Sequence, residues 1–395
     1  MNKLSSIAYY VTDKISSNDI SLSEYVTTDC ILQNKKGREV ASNLPPQPCC
    51  LTRYQRGDIL IANIRPYLKK VWFADIDGGA SSDVLVFRAK EGHSPSFLYA
   101  VLLQDSFFDY VMQGAKGSKM PRGDKEQILR YEMPILSCSE ESIGTFFLNL
   151  DQKIRLNEQI NQNLEAMAKQ LYDYWFVQFD FPDENGRPYK SSGGEMVWNE
   201  KLKRKIPNEW ENCKLKDFIN LFDSKRIPLS SKDREERKGN YPYYGATGIM
   251  DYVNEYIFDG DYILLAEDGS TSDSKGFPIV QYIWGKNWVN NHAHIILPKN
   301  EQYLMFTYQM LRSIPAKQIE TGSIQKKISQ ENLCEYNMVL PNSILIEKYE
   351  SIISPLWEKR KLCIEEINAL TKQRDELLPL LMNGQVSVNS DLSHD

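Results

Sequence analysis

Residues 117–136 of this 395-residue chain recur at 322–341, displaced by a constant 205 positions without a gap. The first copy reads GSKMPRGDKEQILRYEMPIL and the second GSIQKKISQENLCEYNMVLP; Gly117/Gly322, Ser118/Ser323, Glu126/Glu331, Tyr131/Tyr336 and Met133/Met338 are identical. The same displacement, to within a few residues, joins Arg56-Gly57-Asp58-Ile59-Leu60 to Asp259-Gly260-Asp261-Tyr262-Ile263, and Ile160-Asn161 to Ile367-Asn368. A repeat of so long a period implies two similar modules, each burying its own core, rather than the stacked short units of a solenoid. The length points the same way, because 395 residues exceed what one ordinary core organises.

Within each half the texture changes once. Residues 1–142 carry short β-branched and aromatic runs bounded by Gly, Pro and Asp, among them Asp58-Ile59-Leu60-Ile61-Ala62, Val71-Trp72-Phe73 and Asp83-Val84-Leu85-Val86-Phe87, which read as strands. A single helix is predicted over 95–112. Beyond Gly144 there is no Gly or Pro up to Trp175, and core-like positions alternate by four and three: Ile143, Phe147, Leu150, Ile154, Asn157, Asn161, Leu164, Ala168, Leu171, Trp175. This is a heptad seam, with two Asn that weaken the pairing but fix its register. A polar, Gly-rich linker opens a second strand-rich module, which includes Tyr256-Ile257-Phe258, Tyr262-Ile263-Leu264-Leu265, Ile279-Val280-Gln281-Tyr282-Ile283-Trp284 and Ala293-His294-Ile295-Ile296-Leu297. A second four–three seam follows at Tyr349, Ile353, Leu356, Arg360, Cys363, Ile367, Leu370, Arg374, Leu377 and Leu381, with kinks expected at Pro355 and Pro379.

The expected plan is therefore a module at 1–142, a helix at 143–180, a linker and module at 181–345, a helix at 346–384 and a polar tail at 385–395. The economical arrangement pairs the helices as an antiparallel coiled coil, with one module at each end and a pseudo-twofold internal repeat. The 33 residues of 143–175 would span about 50 Å as a helix.

Composition narrows the function classes. No run of 18 apolar residues suits a membrane span, the N-terminus lacks the apolar stretch of a signal peptide, and the seven cysteines form no CxxC pattern, so a cytoplasmic protein with reduced thiols is expected. A net charge of −6 argues against coating nucleic acid through bulk charge, while leaving local basic surfaces open.

This layout resembles the specificity subunit of type I restriction-modification systems, over essentially the whole chain. The most specific part is 156–210, with Asn157-Glu158-Gln159-Ile160-Asn161, Leu171-Tyr172-Asp173-Tyr174-Trp175-Phe176, Gly193-Gly194-Glu195-Met196-Val197 and Ile206-Pro207-Asn208-Glu209-Trp210. Tyr243-Tyr244-Gly245-Ala246-Thr247-Gly248, Phe258-Asp259-Gly260-Asp261-Tyr262, Ala266-Glu267-Asp268-Gly269-Ser270 and Asn291-His292-Ala293-His294 carry it through the second module. The first module matches more loosely and lacks a counterpart of Pro207–Trp210. The resemblance implies an α+β fold of two α/β target-recognition domains separated by the paired helices. It implies a non-catalytic subunit that reads a bipartite, asymmetric target on double-stranded DNA, one half-site per domain, with the helices setting the gap. It also implies two methyltransferase subunits as partners, translocating endonuclease subunits in the full complex, adenine methylation and restriction by those partners in defence against phage, and S-adenosylmethionine bound by the methyltransferases rather than by this chain.

The residues are consistent with an absence of catalysis. Asn43-Leu44-Pro45-Pro46-Gln47 has the wrong order for methyl transfer, and Gly114-Ala115-Lys116-Gly117-Ser118-Lys119 has the wrong spacing for an ATP-phosphate loop. His292 and His294 share a strand face, but with four histidines in all and no nearby Cys they suit a structural role or a DNA contact better than a metal. For DNA contact the repeated Gly-Ser segment is the leading candidate: Gly permits close backbone approach, Ser bonds phosphate, and Lys, Arg or Gln reach phosphates or base edges. The candidates are Lys116, Ser118, Lys119 and Arg122 in the first copy and Gln325, Lys326 and Lys327 in the second. Arg65 and Lys69 form a further patch, as do Ser270, Thr271 and Lys275, and Tyr244 and Thr247. Two other readings stay open on the residues alone: a coiled-coil scaffold that does not read DNA, and an enzyme hidden in the strand-rich modules.

Overall fold

The computed structural model describes residues 2–133, 139–322 and 326–388. The chain forms two compact units, residues 1–161 with 362–395, and residues 162–361.

In the first unit, an antiparallel sheet takes the order Ala8–Tyr10, Val84–Ala89, Ile59–Ala62, Val71–Phe73. Every residue of Ile59–Ala62 is buried, which explains why that run reads as continuously apolar: both faces are covered. Successive side chains point to opposite faces. Ile59, Ile61, Leu85 and Phe87 enter a core with the helices Pro95–Leu103 and Asp105–Gln113. Leu60, Trp72, Val84 and Val86 enter another, beneath a second sheet of Lys14–Ser16, Cys50–Tyr54, Gly78–Ala80 and Tyr25–Val26. The helix predicted over 95–112 is two helices, broken at Gln104, whose ψ is 140°. The first is buried all round from Ser96 to Leu103, whereas the second buries one side at Phe107, Phe108 and Val111. The turn between them lets the second helix pack beside the first in the same core.

The second unit has an antiparallel sheet in the order Ile219–Leu221, Ala293–Pro298, Tyr262–Ala266, Val280–Ile283. Its strands divide their side chains in the same manner. Ile263, Leu265 and Ile296 face a core with Tyr172, Phe176, Phe306 and Tyr349, and Leu264, Ala293 and Ile295 face another. A second sheet joins Ile249–Val253, Lys238–Tyr244, Lys286–Val289 and Phe258–Asp259.

Two long helices, Glu140–Tyr172 and Ser343–Met382, each contribute to both units. The first passes into a π-helical turn at Asp173–Val177; the second runs on through Pro355 and Pro379. All twenty seam positions named above are buried or half-buried. Within the first unit Asn157 donates to Glu366 at 2.8 Å, and Arg374 lies 3.9 Å from Asp151. Within the second, Arg360 donates to Glu165 at 3.1 Å and Tyr349 to the Ala168 carbonyl at 3.1 Å. In each unit the partner number falls as the helix number rises, so the two segments run antiparallel. No helix among the described residues is long and apolar enough to cross a membrane, and the six described cysteines are unpaired.

One buried carboxyl gives the second unit a pH signature. Glu350, 8% exposed, accepts from the Phe306 amide at 2.7 Å in the first turn of the helix Leu304–Ser313. Burial pushes its carboxyl up to about 7 from 4.5, against the opposing bonds from Phe306, Ser354 and Met305. A raised carboxyl favours the neutral form in the fold. Stability is therefore lost as pH climbs from about 4.5 to about 7, by roughly 3 kcal/mol in all. Glu350→Gln keeps the acceptor and removes the charge. It is expected to stabilise the protein by about that amount at pH 8 and to change little at pH 4, measured by urea unfolding; an equal effect at both pH values would contradict this account.

Candidate nucleic-acid interface

In the first unit, two patches that are separate in sequence become one surface. The central strand Ile59–Ala62 leads into a loop whose backbone is stitched to the Gly-Ser segment. Ile64 and Lys116 each bridge to Arg122, the Arg65 amide donates to the Pro121 carbonyl at 2.8 Å, and the Gly123 amide to Asn63 at 3.3 Å. Reciprocal 2.9 Å bonds between Lys116 and Arg122 close the intervening loop. Gly117 turns it at φ +97°, where a side chain would be strained. Ser118, Lys119 and Met120 project from it, exposed, beside exposed Arg65 and Tyr67.

The loop is conformationally costly. Arg65 and Lys69 have φ of +54° and +50°, and Asn34 and Lys35 in the adjoining loop have +56° and +63°. The Asn34 amide donates to Leu68 and the Lys35 amide to Lys69, both at 2.9 Å, so the strained residues hold one another. Left-handed non-glycine residues cost of order 1–3 kcal/mol each and persist where surrounding structure over-determines them, a pattern that gathers at functional sites. Asn34 and Lys35 were not legible as site residues in sequence; neither belongs to a turn motif that would mark a left-handed backbone.

Most of the cations are already paired. Lys69 and Lys35 meet Asp105 at 2.9 and 2.8 Å; burial would raise the Asp105 carboxyl, but the two lysines outweigh it and hold it below its ordinary value. Lys116 meets Asp124 at 3.0 Å and Arg122 meets Asp83 at 3.2 Å. Among the described residues, Arg65 and Lys119 have no carboxylate within ion-pair distance.

The second unit joins the corresponding segments. The strand Tyr262–Ala266 leads into a loop in which Asp268 bridges to Lys327, while the Ile328 amide donates to the Glu267 carbonyl at 2.8 Å. Gly322 turns at φ +87°. Ser323 and Gln325 lie outside the described residues. Lys326 pairs with Glu320 and Lys327 with Glu267, each at 3.1 Å. Ser270 and Lys275 are exposed on the loop. Thr271 is not: it is 1% exposed, and its hydroxyl donates to Glu320 at 2.7 Å. Its expected DNA contact is corrected to an internal tie, since a hydroxyl consumed inside the fold cannot meet a phosphate. Thr247 is exposed. Tyr244 is half-buried, and burial pushes its phenol up to about 12, so it stays a neutral donor. A chain of hydrogen bonds ties its loop to the Gly-Ser segment. The Asn290 amide donates to the Tyr244 carbonyl at 3.0 Å, the His292 amide to Asn290 Oδ1 at 2.8 Å, and His292 Nδ1 lies 2.6 Å from Asp268.

Beneath this surface lies a group that could not be read from the sequence. His294, fully buried, places Nδ1 2.6 Å from Asp223 and Nε2 2.8 Å from the Ile328 carbonyl. Asp223, Glu267 and His294 are the one cluster among the described residues with the spacing for a metal ion. The arrangement is instead that of a closed ion network. A carbonyl only accepts, so Nε2 carries a hydrogen. Arg226 donates to Glu267 at 2.7 Å and stands 3.5 Å from Asp223, supplying the positive charge a cation would bring. Burial would raise Glu267, but Arg226 and Lys327 hold it below its ordinary value. Of the two roles expected for His294, structural or a DNA contact, its burial leaves the first: it pins the backbone next to Lys327.

Known proteins are similar to this chain in sequence and in fold. Residues 207–355 match the family model described as the type I restriction modification DNA specificity domain. The chain is 23% identical over 398 residues to the type I restriction enzyme MjaIX specificity subunit of Methanocaldococcus jannaschii, covering 95% of this chain and 86% of that protein. It is 22% identical over 434 residues to the HindI specificity subunit of Haemophilus influenzae, covering 92% and 94%. Its fold is similar to the crystal structure of the S subunit of a type I restriction-modification system from M. genitalium, with a TM-score of 0.60 at 17% identity over 96% of this chain and 95% of that one.

Proposed function

We propose a function on the premise that this chain belongs to the family of type I restriction-modification specificity subunits: it is the non-catalytic, DNA-reading member of such a complex. It reads a bipartite, asymmetric target on double-stranded DNA, one half-site per unit. It directs adenine methylation and restriction by two methyltransferase subunits and by endonuclease/translocase subunits, and S-adenosylmethionine is held by the methyltransferases.

One observation carries this reading. In each unit the loop after the central strand is bridged to the Gly-Ser segment at matching positions, Ile64 with Arg122 and Asp268 with Lys327. The frame around the bridge agrees in detail. Asp124 and Ser329, 205 residues apart, each cap a short helix. The Tyr131 and Tyr336 carbonyls each accept from the first residue of another short helix, Leu4 at 2.8 Å and Leu215 at 2.9 Å. The main sheets share one strand order. What differs is the sequence at the equivalent positions: Lys119-Met120-Pro121-Arg122 against Ile324-Gln325-Lys326-Lys327. A repeated frame with divergent surface residues is what reading two different half-sites requires, because phosphate contacts position a protein while base edges specify it. The antiparallel side-chain pairs of the long helices within each unit support a coiled coil that sets the gap.

The charge pattern also fits. With a net charge of −6 and most cations of the candidate interface paired internally, the isolated chain is expected to bind DNA weakly. The complex with its methyltransferase subunits should bind strongly and with marked salt dependence. Arg65→Ala with Lys119→Ala removes the two cations of the first unit's candidate interface that have no carboxylate within ion-pair distance. In the complex, the slope of log affinity against log salt for a target duplex is expected to fall by about two, one for each phosphate no longer neutralised. An unchanged slope would count against this surface as the interface.

A further inference from the structure

Beside the joined loops of the second unit stands an apolar side chain that the reading above leaves without a role. The strand Ile249–Val253 begins with Ile249 and Met250, exposed at 47% and 56%. A single exposed apolar residue is ordinary and asks for no explanation. Met250 differs in being held. Its sulfur accepts from Asn290 Nδ2 at 3.3 Å and lies over the backbone of Gly245, where an added Cβ would sit 2.4 Å from that sulfur. The turn beneath is closed by the Gly245 amide on the Gly248 carbonyl at 2.8 Å and braced by Gln281, which donates to the Gly245 and Ala246 carbonyls at 3.1 and 2.9 Å. Methionine is ordinarily the most adaptable of apolar side chains; here glycine below and an amide beside it fix its position while more than half of it faces outward.

Its neighbours give that position a meaning. Asn290, which holds Met250, also accepts from the His292 amide, His292 contacts Asp268, and Asp268 bridges to Lys327. Met250 is thus joined through three residues, Asn290, His292 and Asp268, to the basic end of the Gly-Ser segment. An apolar group held in one hydrogen-bonded network with a cation is suited to read the one apolar feature of a base edge, the 5-methyl group of thymine in the major groove. We infer that Met250 reads a thymine methyl group in the half-site bound by the second unit, with Asn290 and Gly245 as positioning residues. The inference rests on the DNA-reading function proposed above and adds the base and the residue.

The test uses the complex with its methyltransferase subunits and duplexes carrying the motif that this complex methylates in its host. Each thymine of the motif is replaced in turn by deoxyuridine, which removes only the methyl group. At one thymine, in one half-site, the replacement is expected to weaken binding about fourfold, the worth of one buried methyl group. Met250→Ser should abolish that difference, and Met250→Leu, which keeps an apolar side chain, should retain it. If Met250→Ser does not fold, Asn290→Ala, which frees the methionine, should reduce the same difference. A complex that methylates a bipartite motif but is indifferent to every deoxyuridine, or whose preference survives Met250→Ser, overturns this inference and leaves the proposed function standing. A complex with no sequence preference overturns both.

Discussion

Inserting seven residues after Asn161 and seven after Lys361 should lengthen the gap between the two half-sites and leave the half-sites themselves unchanged. These positions lie in the two long helices, where they pass from one compact unit to the other. A heptad keeps the four–three pattern in phase, so the inserted segments can pair as their neighbours do. Seven helical residues add about 10 Å, which limits the change to about three base pairs at 3.4 Å each. A duplex with the native gap would engage one unit and leave the other off its half-site. If even two base pairs go unread, at about 1–3 kcal/mol each, recognition weakens by a factor on the order of 100. Sequencing the methylated sites in a host carrying the variant complex decides the matter; an unchanged gap would show that the helices do not act as a ruler.

A large loss of stability is expected at Gly144, in the first turns of the helix Glu140–Tyr172. A Cβ built there meets the Phe97 amide nitrogen at 2.3 Å, Ser96 Oγ at 2.4 Å and the Ser96 carbonyl carbon at 2.6 Å. Two of these are backbone atoms at the start of the buried helix Pro95–Leu103, so the neighbour cannot step aside by changing rotamer. In an open helix Gly→Ala would stabilise by about 1 kcal/mol. Here overpacking should reverse the sign, and Gly144→Ala is expected to cost about 3 kcal/mol. Glu141→Ala, exposed on the same turn, should stay within about 0.5 kcal/mol. Urea unfolding of the three proteins measures both differences; a stabilised Gly144→Ala would contradict the close approach.

The ease with which parts of this fold are read from sequence follows from how local their causes are. Runs such as Ile59–Ala62 and Tyr262–Ala266 are legible as strands because burial on both faces leaves an unbroken apolar run. The long helices are legible because a four–three seam persists over tens of residues. The break at Gln104 is not, since an all-apolar run has no period to interrupt. The burial of Thr271 escapes the sequence because a hydroxyl beside a Gly-Ser turn has the same composition whether it faces water or Glu320. The main gap concerns the candidate interface. Arg65 and Arg122 are separated by more than fifty residues and share no motif, so their union waits on the bridge from Ile64 to Arg122. His294 stands out in sequence for its neighbour His292, but its tie to the Ile328 carbonyl depends on packing that no local pattern records.

The central claim is that each sheet-bearing unit reads one half-site on its own frame. The most direct measurement replaces residues 210–341 by the corresponding segment of a homologue with a different target and maps the sites methylated in a host carrying the chimera with its partner subunits. One half-site should change to that of the donor, while the other half-site and the gap stay as they were. A chimera that alters both half-sites, or neither, would contradict the account.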